Sequence, residues 1–357
     1  MGLLKHLAVV LLVTLIRIPV IAQDFMPVQM PHTHDRRLHS DIMDYTYGIY
    51  VTLPESYEDN PDKVYPTLYM IDGNQYFVFT GQPLGSLYWT NVAKEHITVA
   101  VAYTADGGNF RSRDFRTEDR AADFVRFFQE ELIPFIESDY RTSAEERTLW
   151  GHSLGGQFTL YTLLTATKTF DNYIASAPAV NDDILSLEAR YAETHNDMPI
   201  DFYLASGGKD HLTVGGRKFV SQFQTRNYPG LKFDYAFPEK DNHGTIQPTA
   251  YIDGLRLVMD PALQLAASAY ERLTGSYIDG ENTYRISYEG GNYLAFDGVP
   301  ESYDTLISEW SRIYASSETT FFSKDWPGQF EFGGEPDEPA QTFSFRWNGE
   351  DITAVRQ

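Results

Sequence analysis

The chain has 357 residues, of which 42% are hydrophobic and 15% aromatic, and carries a formal net charge of −22. That length and apolar content suffice for one large core and a smaller second one, and the acidic balance excludes nucleic acid and anionic membrane surfaces as partners. Cysteine is absent, which excludes disulfides, thiolate chemistry and a lipid anchor on an N-terminal cysteine.

The first expected element is a targeting segment. Lys5 gives a positive start, Leu7 to Ile16 is an apolar run of h-region length, and Val20-Ile21-Ala22 offers a small-residue cleavage site before Gln23. The run is shorter than the roughly 20 apolar residues a membrane span requires. Residues 1–22 are therefore expected to be a cleaved signal peptide, leaving no membrane-spanning segment. Export without disulfides fits a bacterial protein with a large core, in the periplasm or outside the cell. Residues 23–40 read as a polar N-terminal arm. His32, His34 and His39 lie close together there, but nothing nearby supplies a fixed scaffold, so an arm is favoured over a metal site.

From residue 41 the pattern becomes that of an α/β domain. Tyr45 to Leu53 alternates like an antiparallel strand and ends at Pro54. Thr67 to Ile71 and Ile97 to Tyr103 are continuous apolar runs, as in strands covered on both faces. Asp72 to Gln75 forms a tight loop after the first of them. Asp119 to Glu137 has helical spacing, with Pro134 as a kink. Short strands follow at Arg147 to Trp150, Tyr173 to Ser176, Asp201 to Ala205 and Lys232 to Phe237. Helices are expected at Gln157 to Leu164, at about Gly215 to Tyr228 and at about Thr249 to Met259. Strands alternating with helices imply a doubly wound, mostly parallel sheet over 41–262.

A connecting helix is expected over 263–274. Beyond residue 275 the helical spacing ends, and short runs such as Tyr284 to Tyr288, Asn292 to Phe296, Gln329 to Phe332 and Thr342 to Trp347 are separated by Gly, Asp, Glu and Pro. This reads as a small all-β domain over 275–357, a barrel or a sandwich. Its aromatic residues suit core filling better than a ligand cup.

The chemistry centres on Gly151-His152-Ser153-Leu154-Gly155-Gly156. A strand before G-x-S-x-G and a helix after it describe a nucleophile elbow, with Ser153 exposed on a sharp turn. The bland reading, a serine capping the next helix, calls for no histidine in a fitting place downstream. His195, His211 and His243 follow the serine, and His243 lies between the last strand and the final helix, where this fold places its base. His211 is the alternative. For the acid, Asp210 at the carboxyl end of a buried strand is preferred. Asp182 and Asp183 lie one strand earlier, and Asp241 is too close to the base in sequence. The oxyanion donors are expected to be the backbone N–H groups of Leu154 and Asn74. His152 is read as structural, its side chain turned away from Ser153.

Four blocks carry a resemblance: Leu68 to Phe77, Asn109 to Phe115, Gly151 to Gly156 and Asp241 to Gly244. In order and spacing this region is similar to the putative-esterase family of α/β-hydrolases, which holds esterase D and enterochelin-type esterases. The resemblance implies serine ester hydrolysis with Ser153, Asp210 and His243 as the triad and no metal or organic cofactor. Gln75, Tyr76 and Arg111 are candidates for substrate binding. Arg111 and Arg113 also suit structural ion pairs with Asp114 or Asp119. The loop Ser176 to Asp182 lacks the tryptophans common in relatives, and the acid is Asp where many carry Glu. Residues 275–357 resemble the small barrels appended to some secreted serine hydrolases.

The expected activity is therefore hydrolysis of a small-molecule or glycan ester through an acyl-enzyme. An acyltransferase on the same fold and a non-catalytic binding protein acting through the barrel are the alternatives.

Overall fold

A computed structural model describes residues 30–104, 107–280, 282–298, 312–324, 328–335, 337–347 and 349–357. The expected signal peptide, residues 1–22, lies outside the described residues. Eight strands form one sheet: β1 (Thr33–Ser40), β2 (Tyr45–Thr52), β3 (Tyr65–Met70), β4 (Ile97–Tyr103), β5 (Thr142–His152), β6 (Asn172–Ser176), β7 (Asp201–Ala205) and β8 (Lys232–Ala236). Their spatial order is β1-β2-β4-β3-β5-β6-β7-β8. The β1–β2 and β2–β4 pairs are antiparallel, and all the others are parallel.

The apolar runs of the central strands are explained by two cores. Side chains alternate faces along a strand. Thus Tyr69, Leu149, Tyr173 and Phe202 enter one core, and their neighbours Met70, Trp150, Ile174 and Tyr203 enter the other. The helix Leu154–Thr165 covers the first face with Phe158, Leu160 and Leu163, and the helix Ile246–Val258 covers the second with Ala250, Tyr251 and Leu255. Helices on both faces make the sheet doubly wound, as its sequence pattern implied.

The C-terminal region is a closed antiparallel barrel of β9 (Gly275–Asp279), β10 (Asn282–Ser287), β11 (Tyr293–Asp297), β12 (Arg312–Ala315), β13 (Thr320–Phe322), β14 (Gln329–Gly333), β15 (Thr342–Trp347) and β16 (Glu350–Arg356). Pairing of β16 with β9 closes it, which removes exposed sheet edges. Inward positions are aromatic: Phe330 stacks on Phe343 at 5.8 Å, and Phe332 lies 5.0 Å from Phe343. These rings fill the barrel core.

Three expectations change. Residues 33–40, expected within an arm, form edge strand β1, paired with β2 over its whole length. Its polar character reflects an exposed edge rather than missing structure. His34 donates to or accepts from the Tyr140 hydroxyl at 3.0 Å, and His39 pairs with Thr46 Oγ1. Five residues apart on a strand, the two histidines point to opposite faces. The helix expected over 119–137 contains a π-helical stretch, Phe127–Leu132, between α-helical segments Ala121–Arg126 and Ile133–Asp139. The segment 263–274 is helical only at Ala267–Glu271. The Leu263 N–H donates to Ala315 O at 2.8 Å, and Tyr270 and Leu273 lie in the barrel core, so this segment packs as part of the barrel.

Candidate active site

Ser153 stands between β5 and the helix Leu154–Thr165 with φ 62° and ψ −119°. This is backbone that a non-glycine residue adopts only when its surroundings enforce it. The enforcement is visible. The Ser153 N–H donates to Ser176 O at 2.8 Å, and Ser153 O accepts from Gln157 and Ala179 at 3.0 and 3.1 Å. Gly151 is needed because a Cβ there would lie 2.3 Å from Gly155 O. The G-x-S-x-G spacing thus has a steric origin: the strand end and the first helical turn touch.

His243 follows β8 in the loop before the helix Ile246–Val258, and its ring centroid lies 4.6 Å from that of His152, the residue before Ser153. Its Nδ1 pairs with Asp210 Oδ2 at 2.7 Å. The Asp210 side chain is fully buried, and its other oxygen accepts from the Leu212 N–H at 3.0 Å, with His211 Nδ1 at 3.3 Å. With Nδ1–H committed to the carboxylate, Nε2 of His243 is left as the basic nitrogen. Asp182 and Asp183 instead occupy the exposed first turn of the helix Asp182–Thr194, capped by Asn181. They suit the positive end of that helix.

His152 is buried, and burial pushes its imidazole down to about 3, with His243 and Arg111 adding to the effect. The Gln247 amide donates to its Nε2 at 3.2 Å, so its Nδ1–H donates to Ser176 Oγ at 2.9 Å. A neutral histidine thereby braces the elbow from behind.

The remaining candidates come from the loop after β3. Leu154 is half-buried at the start of the elbow helix, while Asn74 and Gln75 are exposed on the short helix Gly73–Tyr76. The Tyr76 ring is buried against Trp150 at 5.0 Å and His152 at 5.6 Å. Arg111 is engaged: its Nε–H donates to Asp72 at 2.7 Å, and Nη2–H donates to His152 O at 3.2 Å. Arg113 pairs with Asp114 at 2.6 Å. Sequence reasoning missed Asp72, although an acid closing a fully apolar strand is a visible signal of a buried charge.

The relatives of this chain define its class, the serine hydrolases that act on carboxylic esters. Residues 40–215, within the α/β region, match the family described as Putative esterase. The chain is 26% identical over 270 residues to the ferri-bacillibactin esterase BesA of Bacillus subtilis, spanning 65% of this chain and 91% of that protein. It is 28% identical over 174 residues to the siderophore triacetylfusarinine C esterase of Aspergillus fumigatus, spanning 43% of this chain and 58% of that one. Among solved structures, the BES protein of Bacillus cereus matches with a TM-score of 0.60 at 26% identity, over 66% of this chain and 98% of its own, so about a third of this chain has no counterpart there. An IroE-like serine hydrolase from Shewanella oneidensis shares the fold, with a TM-score of 0.59 at 22% identity over 65% of this chain and 82% of its own.

Proposed function

We propose that the chain is an exported esterase that cleaves small-molecule esters of the siderophore type through an acyl-enzyme on Ser153. The observation that carries the reading is the 2.7 Å bond between Asp210 and His243, with the His243 ring against the residue that precedes Ser153. Two curated relatives named for siderophore ester cleavage support the substrate class.

In this scheme Ser153 Oγ attacks the ester carbonyl while His243 Nε2 takes its proton. Asp210 holds the imidazole in the needed tautomer and offsets its charge. The carbonyl electrons move onto oxygen, which the N–H groups of Leu154 and Asn74 receive. Collapse breaks the ester C–O bond, and His243 returns the proton to the departing alcohol. Water, deprotonated by the same nitrogen, then attacks the acyl-enzyme; the bond from the acyl carbon to Ser153 Oγ breaks, His243 returns the proton to that oxygen, and the carboxylic acid leaves. The apolar run in residues 7–16 supports export. No helix among the described residues is long and apolar enough to cross a membrane.

The test is a panel of esters presented to the chain beginning at Gln23. Trilactone and hydroxamate siderophore esters should be cleaved with higher kcat/KM than feruloyl or acetyl glycans, and Ser153→Ala should abolish all turnover. Preference for the glycans overturns the substrate class.

A further inference from the structure

Asp72 has no part in the scheme above, yet its setting is costly to maintain. It is 1% exposed and sits in left-handed backbone at φ 57° and ψ 40°, where side chains other than glycine and, at times, Asn or Asp are strained. That turn lets Asp72 O accept from the N–H groups of Gln75 and Tyr76 at 2.8 and 3.2 Å, with Asn74 left exposed between them. The carboxylate is spanned by Arg111 Nε, at 2.7 Å from Oδ1 and 2.9 Å from Oδ2. The same guanidinium reaches His152 O at 3.2 Å. Asp72 Oδ2 also borders the first turn of the elbow helix, 3.2 Å from where a Cβ on Gly155 would stand.

One guanidinium thus joins the loop that carries Asn74 to the residue before Ser153. It is itself held. Arg111 opens the helix Arg111–Phe115, whose fully buried Asp114 accepts from the Tyr47 hydroxyl at 2.6 Å, the Tyr103 hydroxyl at 3.1 Å and Arg113 Nε at 2.6 Å. A buried ion pair is a poor source of stability, because desolvation offsets the attraction. Burial in fact lifts the Asp72 carboxyl to about 6, against the opposing pull of Arg111. What such a pair supplies is fixed geometry. Arg serves this better than Lys because its planar fork spans two acceptors.

We propose that Asp72 and Arg111 are positioning residues for ester hydrolysis, fixing the spacing between the backbone N–H of Asn74 and that of Leu154 so that both reach the developing oxyanion. The proposal rests on the reading of Ser153 as nucleophile. Donors aimed at the transition state raise kcat and leave ground-state binding little changed.

The test uses Asp72→Asn, Arg111→Lys and Arg111→Ala in the full mature chain, with a p-nitrophenyl ester as substrate. Reactive serine is titrated with a fluorophosphonate so that turnover is expressed per competent site, which removes any loss due to misfolding. Asp72→Asn and Arg111→Ala should lower kcat per titrated serine by about tenfold or more, with KM within about twofold. Arg111→Lys, which keeps the charge and loses the fork, should fall between Arg111→Ala and the unaltered chain. It also guards against a variant that fails to fold. Unchanged kcat per titrated serine in Asp72→Asn and Arg111→Lys overturns the proposal. A raised KM at constant kcat in the Arg111 variants overturns it too, by making Arg111 a substrate contact. Hydrolysis that survives Ser153→Ala overturns the underlying nucleophile instead, a result the three variants above cannot produce.

Discussion

Gly207 lies against Asp241 so closely that a Cβ on Gly207 would stand 2.6 Å from the carbonyl carbon and oxygen of Asp241. Two hydrogen bonds hold the same seam, from Gly208 N–H to Pro238 O at 2.7 Å and from Lys209 N–H to Asp241 O at 2.9 Å. The loop after β7 carries Asp210 and the loop after β8 carries His243. Their backbone contact is what places carboxylate and imidazole 2.7 Å apart.

Gly207→Ala should therefore separate acid from base. The obstacle is backbone on a paired loop, so the loops must shift. We expect kcat to fall on the order of tenfold to a hundredfold with little change in KM. Steady-state kinetics on a short p-nitrophenyl ester checks this, and an unaltered kcat would show that the seam does not set the geometry.

Substitution of the carboxylates should rank them. Asp210→Asn should cost on the order of a thousandfold in kcat, less than loss of Ser153, because the imidazole loses its orienting charge. Asp182→Asn and Asp183→Asn should stay within about twofold, since both sit exposed on the first turn of a helix that Asn181 caps. A reversed order would move the acid one strand earlier.

The elbow was legible in the sequence because its constraint is local: Gly151, Ser153 and Gly155 meet within five residues. The pairing of Asp210 with His243 was legible from their places after successive strands. Asp72 and Arg111 were not paired in advance, because their contact spans 39 residues and needs the sheet to exist first. Gly207 was equally silent, since its neighbour Asp241 comes from the adjacent strand's loop. Strand β1 was missed because an exposed edge can be polar at most positions, and so resembles an arm. The barrel was legible as short aromatic strands, but its closure depends on β9 meeting β16, a pairing without a local signal.

Acid should destabilise the protein over a defined range. Burial lowers His96 to about 4 and His152 to about 3, below the unfolded value near 6.5. Between those values the unfolded chain binds more protons than the folded one, so stability falls as pH drops from about 6.5. Asp72, raised to about 6, has the opposite sign: its buried charge costs stability above that pH, and the cost is relieved as pH falls toward 4. Asp201, also raised by burial, acts in the same sense as Asp72, and the larger displacements of the two histidines still give a net loss. Urea midpoints at pH 7 and pH 5 should show it, and His96→Gln should flatten the difference. An equal difference in His96→Gln would remove that histidine from the account.

The boundary before the barrel is a proposal that truncation tests. Tyr270 and Leu273 belong to the barrel core, and the Tyr270 hydroxyl donates to Leu263 O at 3.2 Å. A clean cut therefore falls near residue 262, ahead of the expected 263–274 connector. It severs the bond from Asn91 to Ser323 O and the pair of Lys324 with Asp260 at 2.7 Å. A chain ending at 262 should keep a serine that reacts with a fluorophosphonate and should be less soluble, as apolar surface is uncovered. A truncated chain that folds without labelling would place part of the active site in the barrel.

The central claim is that Ser153 is the nucleophile and His243 its base. The most direct measurement is peptide mapping of the chain beginning at Gln23 after reaction with a fluorophosphonate, beside Ser153→Ala and His243→Ala. The account predicts one adduct per chain, on Ser153, absent from Ser153→Ala and formed at least a hundredfold more slowly in His243→Ala. An adduct on a different serine, or ester hydrolysis that persists without any adduct, would contradict it.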